Sequence, residues 1–286
     1  MKYRFLRYPG GLQKAVTLSY DDGCRQDIRL AETIDKYNLK CTFNLNSAYI
    51  ADEPGEWHLT VDEIADHIVA GGHEIALHGA RHVAPGKERP IDGIREMLEC
   101  RLELERRFGM IIRGMAYPDS GINCFANNVD YQKIKQYLSD LDIAYARTVD
   151  GDNDMFRLPG DWHRWVPTVH HINPQVTEYI EKFNARHEQE YTADNTPLLF
   201  YLWGHSYEFD EFENWDLLEE ICKSLAGRDD TWYATNIEIY DYVAAYNSLI
   251  FSADGTVVHN PTATTVLIYT DGNTVSVGPG QTARCE

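Results

Sequence analysis

Positive charge is scarce in this sequence. The chain has 26 Lys and Arg against 45 Asp and Glu, which gives a formal net charge of −19. Because nucleic acids and anionic membrane surfaces are bound by clustered Lys and Arg, this composition argues against both as partners. No apolar run approaches the roughly 20 residues that a membrane span needs. The N-terminal segment has no apolar stretch typical of a signal peptide, so we expect a cytoplasmic protein.

Several sequence signatures are missing as well. The six cysteines are scattered and none forms a Cys-x-x-Cys pair, so neither a zinc ribbon nor a redox dithiol is indicated. In a chain of 286 residues such spacing favours reduced thiols over a disulfide framework. There is no Gly-x-Ser-x-Gly elbow, no Walker loop and no dinucleotide-binding glycine pattern. The sequence therefore gives no support to a serine hydrolase, a kinase or a dehydrogenase.

Short apolar runs alternate with helical patterns along most of the chain, which is typical of β/α units and a parallel sheet. Strands are predicted at residues 15–20, 42–45, 74–77, 111–116, 143–146, 156–158, 198–203 and 232–234. Helices are predicted at residues 27–37, 60–70, 90–108, 127–141, 173–184, 214–225 and 235–248. We predict an α/β fold, a distorted (β/α)7-8 barrel that spans residues 1–248 and carries the active site.

The pattern changes after Ser248. Short β runs are separated there by Asp-Gly and Asn-Pro pairs, and Asp-Gly between such runs predicts a hairpin. We expect residues 249–286 to form a short antiparallel β appendage that packs on the barrel. Nothing in this segment suggests a catalytic site.

Two adjacent carboxylates follow the first predicted strand, in the segment Ser19-Tyr20-Asp21-Asp22-Gly23. Neighbouring side chains at a strand end point to different sides, so one Asp could bind a metal while the other accepts a proton. The alternative is a solvated Asp-Asp-Gly turn.

Imidazoles follow two other predicted strands. His78 and His82 are four residues apart directly after strand 74–77, and on one helical turn they could bind a single ion. His205 follows strand 198–203. Barrel enzymes carry their sites at the C-terminal ends of the strands, so these residues are expected to converge with the two aspartates. Such a set is typical of metal-assisted hydrolysis.

These motifs resemble those of the polysaccharide deacetylases, the NodB-homology group of carbohydrate esterase family 4. Residues 19–23 match the first motif, Thr/Ser-Phe/Tyr-Asp-Asp-Gly. His78 and His82 match the second, His-(Ser/Thr)-x-x-His, with Gly79 in place of the hydroxyl residue. The apolar strand that ends in His205 matches the fifth, and the resemblance covers roughly residues 15–245.

The other two motifs depart from the family pattern. The third, Arg-x-Pro-Tyr-Gly, is only partly present at residues 116–121, and the Arg that steadies the catalytic Asp falls at Ala116. Arg113 is the nearest guanidinium in sequence. We therefore expect Asp21 to lack a fixed positive partner. The fourth motif, an Asp-Trp pair, corresponds to Asp161-Trp162.

The resemblance implies a hydrolase that removes N- or O-linked acetyl groups from a carbohydrate. It implies that a divalent metal, zinc before others, is bound by Asp22, His78 and His82. It implies that Asp21 is the general base, that His205 is the general acid and that Asp161 orients His205. Substrate contacts, including a backbone N–H for the oxyanion, are expected from Tyr117, Pro118, Asp119, Trp162 and Trp203.

Two other functions stay open at this point. One is a different C–N hydrolase of the same superfamily, acting on a cyclic imide, a ureide or a formyl amide. The other is a sugar-binding protein that has lost catalysis, which the absent motif Arg would favour. The sequence does not indicate an oligomeric state.

Overall fold

A computed structural model of the chain describes residues 3–149, 152–186 and 195–285. Its strands are β1 (Arg4–Arg7), β2 (Lys14–Asp21), β3 (Cys41–Leu45), β4 (Glu74–Leu77), β5 (Gly114–Ala116), β6 (Tyr145–Arg147), β7 (Val169–His170), β8 (Leu198–Gly204), β9 (Thr231–Tyr233), β10 (Ile250–Phe251), β11 (Val257–His259), β12 (Val266–Thr270), β13 (Asn273–Val277) and β14 (Thr282–Arg284). Its helices are α1 (Gln26–Asp35), α2 (Val61–Ile64), α3 (Pro90–Phe108), α4 (Tyr131–Asp140), α5 (Val176–Asn184), α6 (Glu208–Glu211), α7 (Trp215–Leu225) and α8 (Asn236–Asn247).

The central sheet is parallel and has the strand order β6-β5-β4-β3-β2-β8-β7, with β9 paired to the first half of β2. Strand β2 lies inside the sheet, between β3 and β8, and all eight of its residues are buried. A parallel strand covered on both faces reads as a nearly continuous apolar run, which is why β8 is a clear strand in the sequence. The second half of β2 pairs with β3, so β9 and β3 share the same edge of β2.

The sheet curls until its two edges meet. Arg147 at the end of β6 forms a parallel bridge with Trp165, and the Thr148 amide donates to the Trp165 carbonyl at 2.9 Å. The chain then runs from Trp165 into β7, where the Thr168 amide donates to the Tyr201 carbonyl at 2.8 Å. The predicted α/β fold, a distorted barrel of seven to eight parallel strands, is confirmed.

Helix boundaries follow local signals. The Thr60–Glu63 and Thr235–Glu238 pairs form capping boxes at α2 and α8, as the sequence predicts. Helix α3 ends at Gly109, whose left-handed φ of 64° suits a residue without a side chain. The predicted helix at 60–70 is α2 followed by a π-helical turn.

The strand predicted at residues 156–158 is wrong. Phe156 lies in a loop with a φ of 58°, which is incompatible with a strand. Its ring is buried at 5.3 Å from Phe183 and 6.2 Å from Phe200. The apolar residues at 156 and 158 suggested a strand, but Phe156 is a loop residue whose side chain packs in the core.

Two small antiparallel sheets involve the last strands, with orders β1-β12-β13 and β10-β11-β14. Strand β1 comes from the other end of the chain, and Arg4 pairs with Thr270. Tyr242 of α8 connects this sheet to the barrel helices, since its hydroxyl donates to the Arg7 carbonyl at 2.8 Å. The division of the chain at residue 248 stays a prediction.

Cys24, Cys41, Cys100, Cys124 and Cys222 are free thiols. No helix in the described ranges is both long enough and apolar enough to cross a membrane.

Candidate active site

The residues predicted to converge do so at the C-terminal ends of β2, β4 and β8. Asp21 is the last residue of β2 and is 1% exposed, while the side chain of Asp22 is 21% exposed. Asp22 has a left-handed φ of 81°, so the backbone turns between the two carboxylates. One Asp is therefore buried and the other reaches an open cleft.

Asp22, His78 and His82 form a cluster with the geometry of a metal site. Asp22 Oδ1 lies 3.5 Å from His78 Nε2 and 3.4 Å from His82 Nε2. Ligand atoms in a tetrahedral zinc site are about 3.4 Å apart, given bonds of about 2.1 Å. His78 Nδ1 is 3.0 Å from the Ala116 carbonyl, so Nδ1 carries the proton and the Nε2 lone pair points to the cluster. This donor set fits a divalent metal.

The two histidines are not on a helical turn, and that expectation is wrong. The loop has left-handed φ angles at Gly79 (75°) and His82 (59°), which fold it so that the rings are 4.9 Å apart. A Cβ at Gly79 would lie 3.4 Å from Glu96 Oε1 and from Met97 Cε. The buried Glu96 also accepts a hydrogen bond from the Arg81 amide. Positive φ at Gly79 explains why this chain has no hydroxyl residue there.

Asp21 has a fixed positive partner, contrary to the expectation from Ala116. Arg147 of β6 donates from Nη2 to Asp21 Oδ2, and both side chains are buried. Asn44 Nδ2 donates to the other carboxylate oxygen at 2.8 Å. Burial acts to raise the pKa of Asp21, but Arg147, with His78 and His205, holds that pKa below its usual value.

Arg113 does not replace the motif Arg. It donates to both carboxylate oxygens of Asp241 on α8, at 2.7 and 2.9 Å. It precedes β5 and so lies at the opposite end of the barrel from the site. The guanidinium for Asp21 comes instead from the neighbouring strand β6.

His205 is placed between two carboxylates. Its Nε2 is 3.9 Å from Asp21 Oδ2, and its Nδ1 is 3.3 Å from Glu208 Oε2. Burial acts to lower the pKa of His205, but Glu208, with Asp21 and Asp22, raises that pKa above its usual value. Glu208 was not singled out from the sequence. The sequence did offer one indication of its role, because Glu208 lies three residues after the strand-end His205 and at the start of a helical turn.

Asp161 is not placed to orient His205, and Glu208 has that position. Asp161 accepts hydrogen bonds from Tyr131 and Lys135, each at 2.7 Å. It lines a cavity with Ile143, which precedes β6, so it lies at the N-terminal end of the barrel.

Trp162 shares that location. It packs edge-on against Trp165 at 4.8 Å and against Tyr240 at 5.1 Å. A role in binding substrate beside the metal-type cluster is therefore not supported. Trp203, by contrast, lies 5.9 Å from the His205 ring.

The turn at Tyr117, Pro118 and Asp119 lies beside the site, but the Tyr117 side chain is not available to a ligand. Its hydroxyl donates to the His163 carbonyl at 2.8 Å and its amide donates to the Arg147 carbonyl at 2.9 Å. The Asp119 carboxylate pairs with Lys87 at 2.9 Å. Pro118 has no N–H, so the Asp119 amide is the donor in this turn without a partner in the described residues.

An open cleft of about 420 Å³ leads from the metal-type cluster to solvent. Aromatic side chains that were not singled out from the sequence surround it. Trp57 is 49% exposed and Tyr49 is 40% exposed, and both line the cleft with Asp22 and His82. The Trp57 ring is 5.6 Å from Tyr207. These residues lie outside the predicted strands, where periodicity carries no information.

Two of three comparisons with known proteins found similar proteins. Residues 3–138 match the family model of the polysaccharide deacetylases. A Mycobacterium smegmatis protein assigned to the polysaccharide deacetylases has a similar fold, with a TM-score of 0.57, 16% identity, and coverage of 85% of this chain and 94% of its own. No curated protein sequence matches this chain.

Two further solved structures have the same fold. One is the chitin deacetylase of the fungal pathogen Colletotrichum lindemuthianum, with a TM-score of 0.50, 19% identity, and coverage of 79% of this chain and 88% of its own. The other is the family 4 carbohydrate esterase domain of a multidomain xylanase from the hindgut metagenome of Trinervitermes trinervoides. It has a TM-score of 0.51, 16% identity, and coverage of 82% of this chain and 92% of its own.

The family-model match over residues 3–138 and the shared fold confirm the resemblance of this chain to the polysaccharide deacetylases, carbohydrate esterase family 4.

Proposed function

We propose that this protein is a metal-dependent hydrolase that removes N- or O-linked acetyl groups from a carbohydrate. The observation that carries the proposal is the convergence of a metal-type cluster, Asp22, His78 and His82, with Asp21 and His205 beside it. A cytoplasmic location stays a prediction.

The donor set of two imidazoles and one carboxylate favours zinc or a similar divalent metal. When bound, such a metal lowers the pKa of a coordinated water and polarises a carbonyl. The three residues have the separations that this requires, and the hydrogen bond of His78 Nδ1 fixes its Nε2 as the ligand atom.

Asp21 is proposed as the general base. Arg147 and Asn44 keep it ionised and fix its orientation. Its Oδ2 lies 3.9 Å from His78 Nε2, so a water held near the cluster is within reach of this oxygen. Asp21 accepts the proton as that water attacks the acetyl carbonyl.

His205 is proposed as the general acid. Its Nε2 is 3.9 Å from Asp21 Oδ2, so a group bound beside the cluster can contact the base and the acid together. Glu208 at Nδ1 stabilises the imidazolium form, which donates a proton to the leaving nitrogen or oxygen. The Asp119 amide is the proposed donor to the oxyanion.

The aromatic cleft supports a carbohydrate as the substrate, since rings such as Trp57 and Tyr49 stack on the apolar faces of sugars. Trp203 is proposed to contact the acetyl group beside His205. The argument for a sugar-binding protein without catalysis depended on a missing Arg. Arg147 beside Asp21 removes that argument.

The test is loss of acetyl, followed by mass spectrometry, from acetylated oligosaccharides incubated with zinc-loaded protein. We expect acetyl release from acetylated chito- or xylo-oligosaccharides and none with Asp21→Asn. A panel of a cyclic imide, a ureide and a formyl amide is run beside them. Turnover of that panel without acetyl release would identify the other C–N hydrolase and contradict the proposal.

A further inference from the structure

A second group of metal-type donors lies on the far side of His205 from the Asp22 cluster. His170 at the end of β7, His205 and Glu208 of α6 each offer one ligand atom within 4.8 Å of the others. Glu208 Oε2 is the common centre, at 3.3 Å from His205 Nδ1 and 3.4 Å from His170 Nε2. The Nε2 of the adjacent His171 is 3.5 Å from the same oxygen.

These separations match those of the Asp22 cluster. There, one carboxylate oxygen lies 3.4 and 3.5 Å from two imidazole nitrogens. A charge-assisted hydrogen bond between an imidazole and a carboxylate is shorter, about 2.7–2.9 Å. The ligand atoms of His170, His205 and Glu208 therefore have the spacing of donors that share an ion.

His171 gives an independent indication. Its side chain is fully buried, and neither ring nitrogen has a hydrogen-bond partner among the described residues. The ring is stacked on Phe209 at 4.2 Å and on Tyr20 at 5.6 Å. A Cβ on Gly204 would collide with its Nδ1, so this glycine is needed for the ring to fit. Burying an imidazole without a partner is unfavourable, so His171 marks an unsatisfied polar site directly beside Glu208, 3.5 Å from its Oε2.

Solvent reaches the group through His170 and His205, whose side chains are 17% and 21% exposed.

We propose that His170, His205 and Glu208 bind a second divalent cation of the zinc type. The cation binds the Nδ1 atom of His205, in the place of the proton that makes His205 an imidazolium ion. On the proposed function, on which this consequence rests, excess zinc therefore inhibits acetyl release while the first metal remains bound.

The test is equilibrium dialysis of metal-stripped protein against increasing Zn²⁺, with elemental analysis of the bound ion. We expect about two ions per chain in the unaltered protein. We expect about one ion per chain in His170→Asn and in Glu208→Gln, because these variants lose the more weakly bound ion. His82→Ala should lose the more tightly bound ion instead. His67→Asn is the matched control, since His67 is 3.6 Å from Glu32 in an isolated His–carboxylate pair. It should keep both ions.

Circular dichroism of each variant confirms folding, and the two variants of the second group check each other. One ion per chain in the unaltered protein, or two in both His170→Asn and Glu208→Gln, would overturn the second site. The unaltered protein could bind two ions, lose one of them in His170→Asn, and release no acetyl at any zinc concentration. That result would support the second site and contradict the proposed function. If the protein instead binds a single ion and releases acetyl at a rate that excess zinc does not change, the proposed function would stand and the second site would be contradicted.

Discussion

Replacing Arg147 by Met removes the positive partner of Asp21 while keeping a long apolar side chain. Both members of this ion pair are buried, at 0% and 1% side-chain exposure. Breaking a buried pair by removing one partner typically costs about 3–5 kcal/mol, because an uncompensated charge is left inside the protein. We expect Arg147→Met to lower the free energy of unfolding by that amount and to slow acetyl release by at least about two orders of magnitude, since the pKa of Asp21 rises without the guanidinium and less of the carboxylate is available as a base.

The control is Arg113→Met. Arg113 pairs with Asp241, but these side chains are 32% and 52% exposed. An exposed pair contributes about 0–1 kcal/mol, so this variant should unfold close to the unaltered protein. The double variant Arg147→Met/Asp21→Asn should regain much of the lost stability, because no buried charge then remains at this pair.

The assay is urea unfolding of metal-free protein at several pH values. Because the pKa of Asp21 is lowered in the folded state, its contribution is fully present above the ordinary pKa of Asp, about 3.9, and is lost as the pH falls through the lowered value. The difference in the free energy of unfolding between the unaltered protein and Arg147→Met should therefore become smaller at acid pH. Equal effects of Arg147→Met and Arg113→Met on stability and rate would refute the reasoning.

Three further predictions concern the site. Asp21→Asn should slow turnover by about two to four orders of magnitude and keep zinc, whereas Asp22→Asn should lose zinc; elemental analysis with initial rates checks both, and the reverse pattern would exchange their roles. Glu208→Gln should shift the loss of activity at alkaline pH to a lower pH. The proposed acid, His205, has to be protonated, and Glu208 raises the pKa of His205. An unchanged pH–rate profile at one equivalent of zinc would contradict this prediction. Trp57→Ala should raise KM for oligosaccharides without changing kcat for a small acetyl ester, and equal effects on both substrates would exclude a stacking role.

The metal-type cluster could be predicted because each of its residues lies next to a recognisable strand in the sequence. Asp22 and the His78–His82 pair directly follow clear strands, and parallel strands bring their C-terminal ends to one rim. His205 was placed by the same rule. What failed was the local geometry: the histidines approach through positive φ angles at Gly79 and His82, not through a helical turn.

The partners of Asp21 and His205 could not be predicted in this way. Arg147 reaches Asp21 from β6, a strand that lies four positions from β2 in the sheet, and no spacing in the sequence encodes that approach. The prediction that Asp161 orients His205 was wrong because a sequence motif does not show where its loop lies. The loop that carries Asp161 and Trp162 packs near Ile143, at the beginning of β6 and away from His205.

The pairing of β1 with β12 joins residues more than 250 positions apart, Arg4 with Thr270 and Phe5 with Tyr269. On a ribosome, β1 emerges long before the strand that completes its hydrogen bonds. The hydrogen bonds between β1 and β12 can therefore form only after nearly the whole chain has been synthesised, and closing so long a loop costs conformational entropy. Residues 266–270 cannot be treated as a detachable module, because cutting them away would leave a bare strand edge on the barrel and invite association between copies.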